Sequence, residues 1–364
     1  MRVLITGGGT GGHCTPAIAV AEALSQIDPQ GHVTYVGRAD GPESRLVPGA
    51  GLDFIGLSLG SMGSSRMTAT PRLLTRMPVA YLQARKVMAD FDPDVVLATG
   101  GYVSVPVAMV AGRRGVPVVL LEQNRLPGRA VEWLAGRAAV VATSFAGTAA
   151  SLPGARVVCT GNPVRSEFSA LAASASVPEL APMLLVMGGS QGARHLNQVL
   201  VEALPRLLAA LPQLAITHLT GPGDHQRVLT EVAALDLTEP GRYRALAFVD
   251  GMAPLIAGSG LVLMRAGGSS LAEVACLGKP MVLVPYPHAG NHQTANATPF
   301  VEAGAAVLAE DPGLTAETLV GEVAGILADR ARWERMARAS STMARPGAAG
   351  EVAALLASLA RRAN

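Results

Sequence analysis

Four glycine- or amide-rich segments hold the residues best suited to chemistry. Residues 6–13 read Thr-Gly-Gly-Gly-Thr-Gly-Gly-His, with Gly7, Gly9 and Gly12 in the order G-x-G-x-x-G. Glycine lets the backbone approach a ligand, and a helix N-terminus behind such a turn favours an anion. A plain strand–helix turn is the competing reading. Residues 188–193, Gly-Gly-Ser-Gln-Gly-Ala, repeat the arrangement, and Ser190 adds a hydroxyl for a phosphate oxygen. Residues 265–273 read Arg-Ala-Gly-Gly-Ser-Ser-Leu-Ala-Glu. Ser270 and Glu273 there have the spacing of a capping box. Arg265 suits a diphosphate and Glu273 a ribose diol, so cap and ligand roles both stand. In residues 285–296, Gln293 and Asn296 carry donors and acceptors for sugar hydroxyls. His288 and His292 have no carboxylate close by in sequence, which argues against a metal pair.

A dinucleotide reading of the first turn needs an acidic residue at the end of strand two. That strand ends Tyr35-Val36-Gly37-Arg38 and offers none. NAD loses ground, and NADP survives only if Arg38 holds a 2′-phosphate.

The elements that position these segments are short Val/Leu runs alternating with Ala/Leu-rich helical stretches. Strands are expected at 3–5, 32–36, 94–98, 116–121, 139–141 and 156–159. After a softer connection over 169–182, more follow at 183–187, 214–219, 243–246, 261–264, 281–284 and 305–308. Continuous apolar strands separated by helices predict parallel sheets with right-handed crossovers, in two halves. The tail from 330 reads as helices broken near Pro346-Gly347. The helix after the first turn is placed at 17–25, and 95–112 reads as strand, glycine loop and helix rather than a membrane span.

Composition narrows the function. Of 364 residues, 49% are hydrophobic but only 4% aromatic, so the cores are aliphatic. A net charge of +2 excludes a nucleic-acid binder that relies on a large basic field. Three widely spaced cysteines without CxxC point away from disulfides and structural zinc, toward a reducing compartment. The chain opens directly as a strand, with no signal peptide expected.

Seven motifs in order are more specific than any single turn. They are 7–13, Gly-Gly-Tyr-Val-Ser-Val-Pro at 100–106, Glu-Gln-Asn at 122–124, Gly-Asn-Pro-Val-Arg at 161–165, 188–192, 265–273, and Asn-His-Gln-x-x-Asn-Ala at 291–297. Together they resemble the MurG family. The resemblance implies an α/β GT-B fold: two Rossmann-like, doubly wound parallel-sheet domains facing across a cleft. Residues 1–164 with 341–364 would form the acceptor and membrane-docking domain, and 165–340 the UDP-sugar domain. It implies transfer of N-acetylglucosamine from UDP-GlcNAc, with inversion and without metal or other cofactor. The acceptor would be the 4-hydroxyl of a polyprenyl-diphosphate-linked muramyl-pentapeptide, in peptidoglycan synthesis. The enzyme would sit peripherally on the cytoplasmic face of the cell membrane.

Carried over by the same resemblance, Thr10, Gly11 and Gly12 lie near the sugar and diphosphate, and Asn124 contacts the sugar. Arg165 and Ser190 hold the phosphates, and Gly268, Ser269 and Ser270 line the phosphate turn. The Val249 backbone meets uracil, Glu273 the ribose and Gln293 the sugar hydroxyls. His13 is the expected general base, Glu122 the alternative, and a histidine that only caps the turn is the plainer option for His13. The chain departs from the family pattern at Leu121, where histidine is usual before Glu-Gln-Asn, and at Cys14. Arg72, Arg76, Arg85 and Lys86, with Arg113-Arg114, mix charge with apolar residues as an interfacial patch does, or as a solvated helix face does. An NADP oxidoreductase, a UDP-sugar epimerase and a non-catalytic nucleotide-binding scaffold are the rival classes.

Overall fold

The computed structural model describes residues 1–9, 11–59, 66–174, 180–189, 192–235, 237–287 and 291–363. In chain order its elements are β1 (Arg2–Thr6), α1 (Gly11–Ile27), β2 (His32–Arg38), α2 (Glu43–Gly49), β3 (Asp53–Leu57), α3 (Arg66–Phe91), β4 (Val95–Ala98), α4 (Ser104–Arg113), β5 (Val118–Glu122), α5 (Arg129–Ala135), β6 (Val140–Thr143), β7 (Val157–Cys159) and α6 (Ser166–Ser174). There follow β8 (Met183–Met187), α7 (Arg194–Ala210), β9 (Ala215–Leu219), α8 (His225–Ala233), β10 (Tyr243–Leu246), α9 (Met252–Ala257), β11 (Leu261–Met264), α10 (Gly268–Cys276), β12 (Met281–Leu283), α11 (His292–Glu302), β13 (Ala306–Leu308), α12 (Ala316–Leu327), α13 (Arg330–Met343) and α14 (Ala348–Ala363).

The chain forms two compact units, Met1–Ser166 with Gly347–Asn364, and Glu167–Pro346. In the first, seven strands run in the order β3-β2-β1-β4-β5-β6-β7; in the second, six run β10-β9-β8-β11-β12-β13, and every described pairing is parallel. Both sheets are doubly wound.

Alternation along β1 shows how sequence becomes layers. Val3 and Ile5 pack with Ala17, Val20 and Leu24 of α1 and with Val352 and Leu356 of α14. Leu4 points the other way, into a cluster with Met88 of α3 and Val107 and Val110 of α4. Both faces of the sheet are therefore apolar, as helices on both sides require. In the second unit Leu184 and Val186 of β8 pack with Leu196, Leu200 and Leu204 of α7 and with Trp333 of α13.

Two elements differ from expectation. β3 is an additional edge strand; Asp53 and Gly56 are exposed and only Leu57 is buried, so it lacks the apolar run of its neighbours. α1 starts at Gly11 rather than at 17, carrying Pro16 inside it, which brings His13 into its first turn. The segment 95–112 is β4, a glycine loop and most of α4. Among the described residues, no helix is long and apolar enough to cross a membrane.

Candidate active site

Open α/β sheets bind ligands beyond the carboxyl ends of strands where the strand order reverses. In the first sheet that point lies between β1 and β4, in the second between β8 and β11. The described glycines of the expected turns fall there: Gly7, Gly8 and Gly9 after β1, Gly188, Gly189 and Gly192 after β8, and Gly267 and Gly268 after β11.

The first turn is closely fitted to the loop after β4. A Cβ on Gly7 would run into the Thr99 hydroxyl, and one on Gly101, held at φ 77°, into the Gly8 carbonyl. The Thr99 N–H donates to Thr6 O at 2.8 Å, its hydroxyl donates to His13 O at 3.0 Å, and Gln123 Nε2 donates to Thr99 O at 3.0 Å. His13 is half-buried, and its Nδ1 lies 2.8 Å from Gly8 O. A carbonyl only accepts, so Nδ1 carries a proton, and in the neutral ring Nε2 then holds the lone pair. Nε2 lies beside Gly100, where a Cβ would sit 3.2 Å from it. His13 is thus tied to the first turn through Nδ1, with Nε2 toward the loop after β4.

Glu122, at the end of β5, is 2% exposed. One carboxylate oxygen accepts from the Asn124 N–H at 2.8 Å and Asn124 Nδ2 at 3.1 Å, the other from the Gly128 N–H at 2.8 Å. Burial pushes its carboxyl upward, while the donors from Gly128 and Asn124, and His13 when protonated, pull it back. This arrangement fixes the 122–128 turn and aims Asn124. Leu121 is fully buried with the apolar face of β5, so that position serves the core in this chain.

Sequence reasoning missed Glu43. No carboxylate stands at the end of strand two in sequence, yet Glu43 folds one back to it. Its Oε1 accepts the Arg38 N–H at 2.9 Å and its Oε2 the Gly9 N–H at 3.2 Å, in full burial. The one available signal was a glutamate at the start of a helix just after Gly41-Pro42. Its burial removes it as a ribose ligand. Arg38 pairs with Asp40 at 2.9 Å, so the NADP reading loses its anchor.

In the second unit, Gly192 at φ 76° closes the turn before α7, and a Cβ there would strike the Thr220 carbonyl. Behind this turn His218 bridges Asn197 Oδ1 at 2.9 Å and the Tyr243 hydroxyl at 2.8 Å; burial holds its imidazole down at about 3, hence neutral. α10 starts after Gly267, which makes no side-chain cap, so the expected Ser270–Glu273 capping box is corrected: Ser270 is already the third helical residue. Gly268 is buried at the first helical position, Ser269 and Ser270 are half-buried, and Glu273 is 9% exposed.

Arg265 is 8% exposed and donates to Val284 O at 3.0 Å and Pro285 O at 3.2 Å. It pairs with Asp311 at 2.6 Å, and its guanidinium lies over the Tyr286 ring. Its charge is thus taken up inside the unit. Gln293 Oε1 accepts the Tyr286 N–H at 2.8 Å, which directs its NH₂ group to other partners. Asn296 is fully buried and donates to Ala266 O at 3.2 Å, a brace for the third turn rather than a sugar contact. Val249 is half-buried after β10, and Arg165 is half-buried between β7 and α6. Gly11 and Gly12 open α1. Thr10, Ser190 and His288 lie outside the described residues, as does the Arg72 side chain. Among the described residues no three or more His, Cys, Asp or Glu gather as a metal site.

Profiles of the glycosyltransferase family 28 N-terminal domain and C-terminal domain match residues 3–143 and 183–352. The chain belongs to glycosyltransferase family 28. Within this family it is similar to proteins named UDP-N-acetylglucosamine--N-acetylmuramyl-(pentapeptide) pyrophosphoryl-undecaprenol N-acetylglucosamine transferase. The one from Nitratidesulfovibrio vulgaris is 40% identical, covering 96% of this chain and 95% of the relative. That from Anaeromyxobacter sp. (strain Fw109-5) is 38% identical, covering 100% and 94%. A crystal structure of MurG from Acinetobacter baumannii matches with a TM-score of 0.74 and 29% identity, over 98% of this chain and 99% of that one. The two doubly wound parallel-sheet units are the GT-B architecture of this MurG branch of family 28.

Proposed function

We propose that the chain is an inverting glycosyltransferase that moves N-acetylglucosamine from UDP to the 4-hydroxyl of a lipid-linked N-acetylmuramyl-pentapeptide. Full-length kinship with transferases bearing that name carries the reading. The geometry of His13 supplies its mechanism. The acceptor hydroxyl gives its proton to His13 Nε2 as its oxygen attacks the anomeric carbon from the face opposite UDP. UDP departs with the bonding electrons, and His13 leaves the step as an imidazolium. Asn124, aimed by Glu122, contacts the sugar, as do Gly11, Gly12 and Thr10. The N-terminal N–H groups of α7 and α10, with Ser190, Ser269, Ser270 and Arg165, offset the charge gathering on the diphosphate. Glu273 takes the ribose, the Val249 backbone the uracil, and the Gln293 NH₂ a sugar hydroxyl. Arg265 acts one step back, holding the 284–286 loop and so Gln293.

The experiment is product analysis with UDP-GlcNAc and a short-chain lipid-linked acceptor. A transferase gives disaccharide-lipid and UDP only when both are present. Epimerised UDP-sugar without acceptor supports the epimerase reading, and UDP binding without turnover the scaffold.

A lipid acceptor calls for a membrane surface, and we infer a peripheral position on the cytoplasmic face. Support comes from α3, where Val79 and Leu82 are 48% and 61% exposed beside exposed Arg76, Arg85 and Lys86. Arg113, stacked over Tyr81, extends the basic rim. Such a face suits anionic headgroups. Charge reversal at Arg76, Arg85 and Lys86 should abolish flotation with phosphatidylglycerol vesicles; unchanged flotation removes this patch from docking.

A further inference from the structure

The peptide joining Gly8 and Gly9 stands between two side chains. Its carbonyl accepts from His13 Nδ1 at 2.8 Å, and its N–H donates to Glu43 Oε2 at 3.2 Å. A carboxylate, one peptide and an imidazole therefore lie in a single hydrogen-bonded line. The line ends at Nε2, the atom that faces the switch point.

Glu43 is costly to keep there. It is fully buried, and a buried carboxylate is retained only against strong compensating donors. Three glycines make its room: a Cβ on Gly8, Gly37 or Gly41 would collide with its carboxylate or stem. A neutral side chain could brace the loop without that desolvation. What only a carboxylate adds is negative charge at the N–H end of peptide 8–9.

We propose that Glu43 is a positioning residue for the reaction, polarising peptide 8–9 so that the Gly8 carbonyl holds His13 with its proton on Nδ1 and its lone pair on Nε2. This rests on the reading of His13 as base. Hydrogen bonds in a chain reinforce one another, and catalytic histidines are commonly oriented by a carboxylate on the nitrogen away from the substrate. Here a peptide relays that orientation. Unconstrained neutral imidazole favours the proton on Nε2, so the observed bond holds His13 in its less common form. During transfer the hydroxyl proton goes to Nε2; the Nδ1 proton stays, and Glu43 takes none.

The neighbouring groups leave the relay intact. Cys14 is pushed up to about 12, chiefly by burial, and the buried Tyr35 stands well above its usual range, so both stay neutral. The Arg38 guanidinium is paired with Asp40. Glu122 on β5 is the other carboxylate near His13, and its oxygens are held by Asn124 and Gly128.

The test is nitrogen NMR of the protein labelled with ¹⁵N-histidine, the His13 signals being those lost in His13→Gln. In the wild type, neutral His13 should be protonated on Nδ1. In Glu43→Gln the share of neutral His13 protonated on Nδ1 should fall, because a less polarised Gly8 carbonyl holds that proton less firmly. The turnover number should fall about 10- to 100-fold, as when an orienting partner is lost, with the KM for UDP-GlcNAc and UDP affinity unchanged. A wild-type His13 protonated on Nε2 overturns the relay without any variant, which covers the case in which Glu43→Gln does not fold. Unchanged turnover and tautomer in Glu43→Gln overturn it equally. Full turnover in His13→Gln would instead sink the base reading, a result distinct from either.

Discussion

His13→Gln is expected to lower the turnover number about 10²- to 10⁴-fold, the usual contribution of a positioned general base. UDP affinity should be unchanged, because the groups assigned to uracil and ribose, Val249 and Glu273, lie outside the first turn, and the substitution alters a side chain and not the turn's backbone. This split separates a base from a mere cap. Capping is worth about 1 kcal/mol of stability and would show in the melting temperature. A base acts on the transition state, and the barrier rises by about 3–5 kcal/mol when it is removed. Isothermal titration with UDP beside single-turnover transfer reads both. Retained turnover would return the proton to Glu122, whose oxygens would then have to leave Asn124 and Gly128.

Arg265→Ala is expected to destabilise the second unit by about 3–5 kcal/mol, the cost of leaving one member of a buried pair alone. Asp311, with its side chain 12% exposed, would lose the guanidinium 2.6 Å away and keep only His195, whose Nδ1 lies 3.5 Å from the same oxygen, and the Val284 and Pro285 carbonyls would lose a donor. Replacing both partners, Arg265→Met with Asp311→Leu, should recover most of that loss. Thermal unfolding with and without UDP checks this. If Arg265→Ala melts as the wild type does but no longer binds UDP, Arg265 is a phosphate ligand after all.

These two residues show where sequence was legible and where it was not. The glycine turns were readable because a turn that needs φ > 0 or close backbone approach leaves few residue choices, as at Gly101 and Gly192. Buried parallel strands were readable as unbroken Val/Leu runs. β3 was not, since an edge strand half in solvent has no such run. His13 stood out by type, but its tautomer depends on a carbonyl placed by Glu43, a residue 30 positions on in sequence that only the β2–α2 turn brings back. Arg265 was visible as a cation near glycines. Its partner Asp311 lies past β13, and nothing local in the sequence joins them.

The central claim is a single displacement in which His13 takes the acceptor proton. The anomeric configuration of the disaccharide formed from α-linked UDP-GlcNAc tests it most directly, read from the proton coupling at the new linkage. One displacement predicts the β-linked product. An α-linked product would require a second displacement through an enzyme nucleophile, and would contradict the role given to His13.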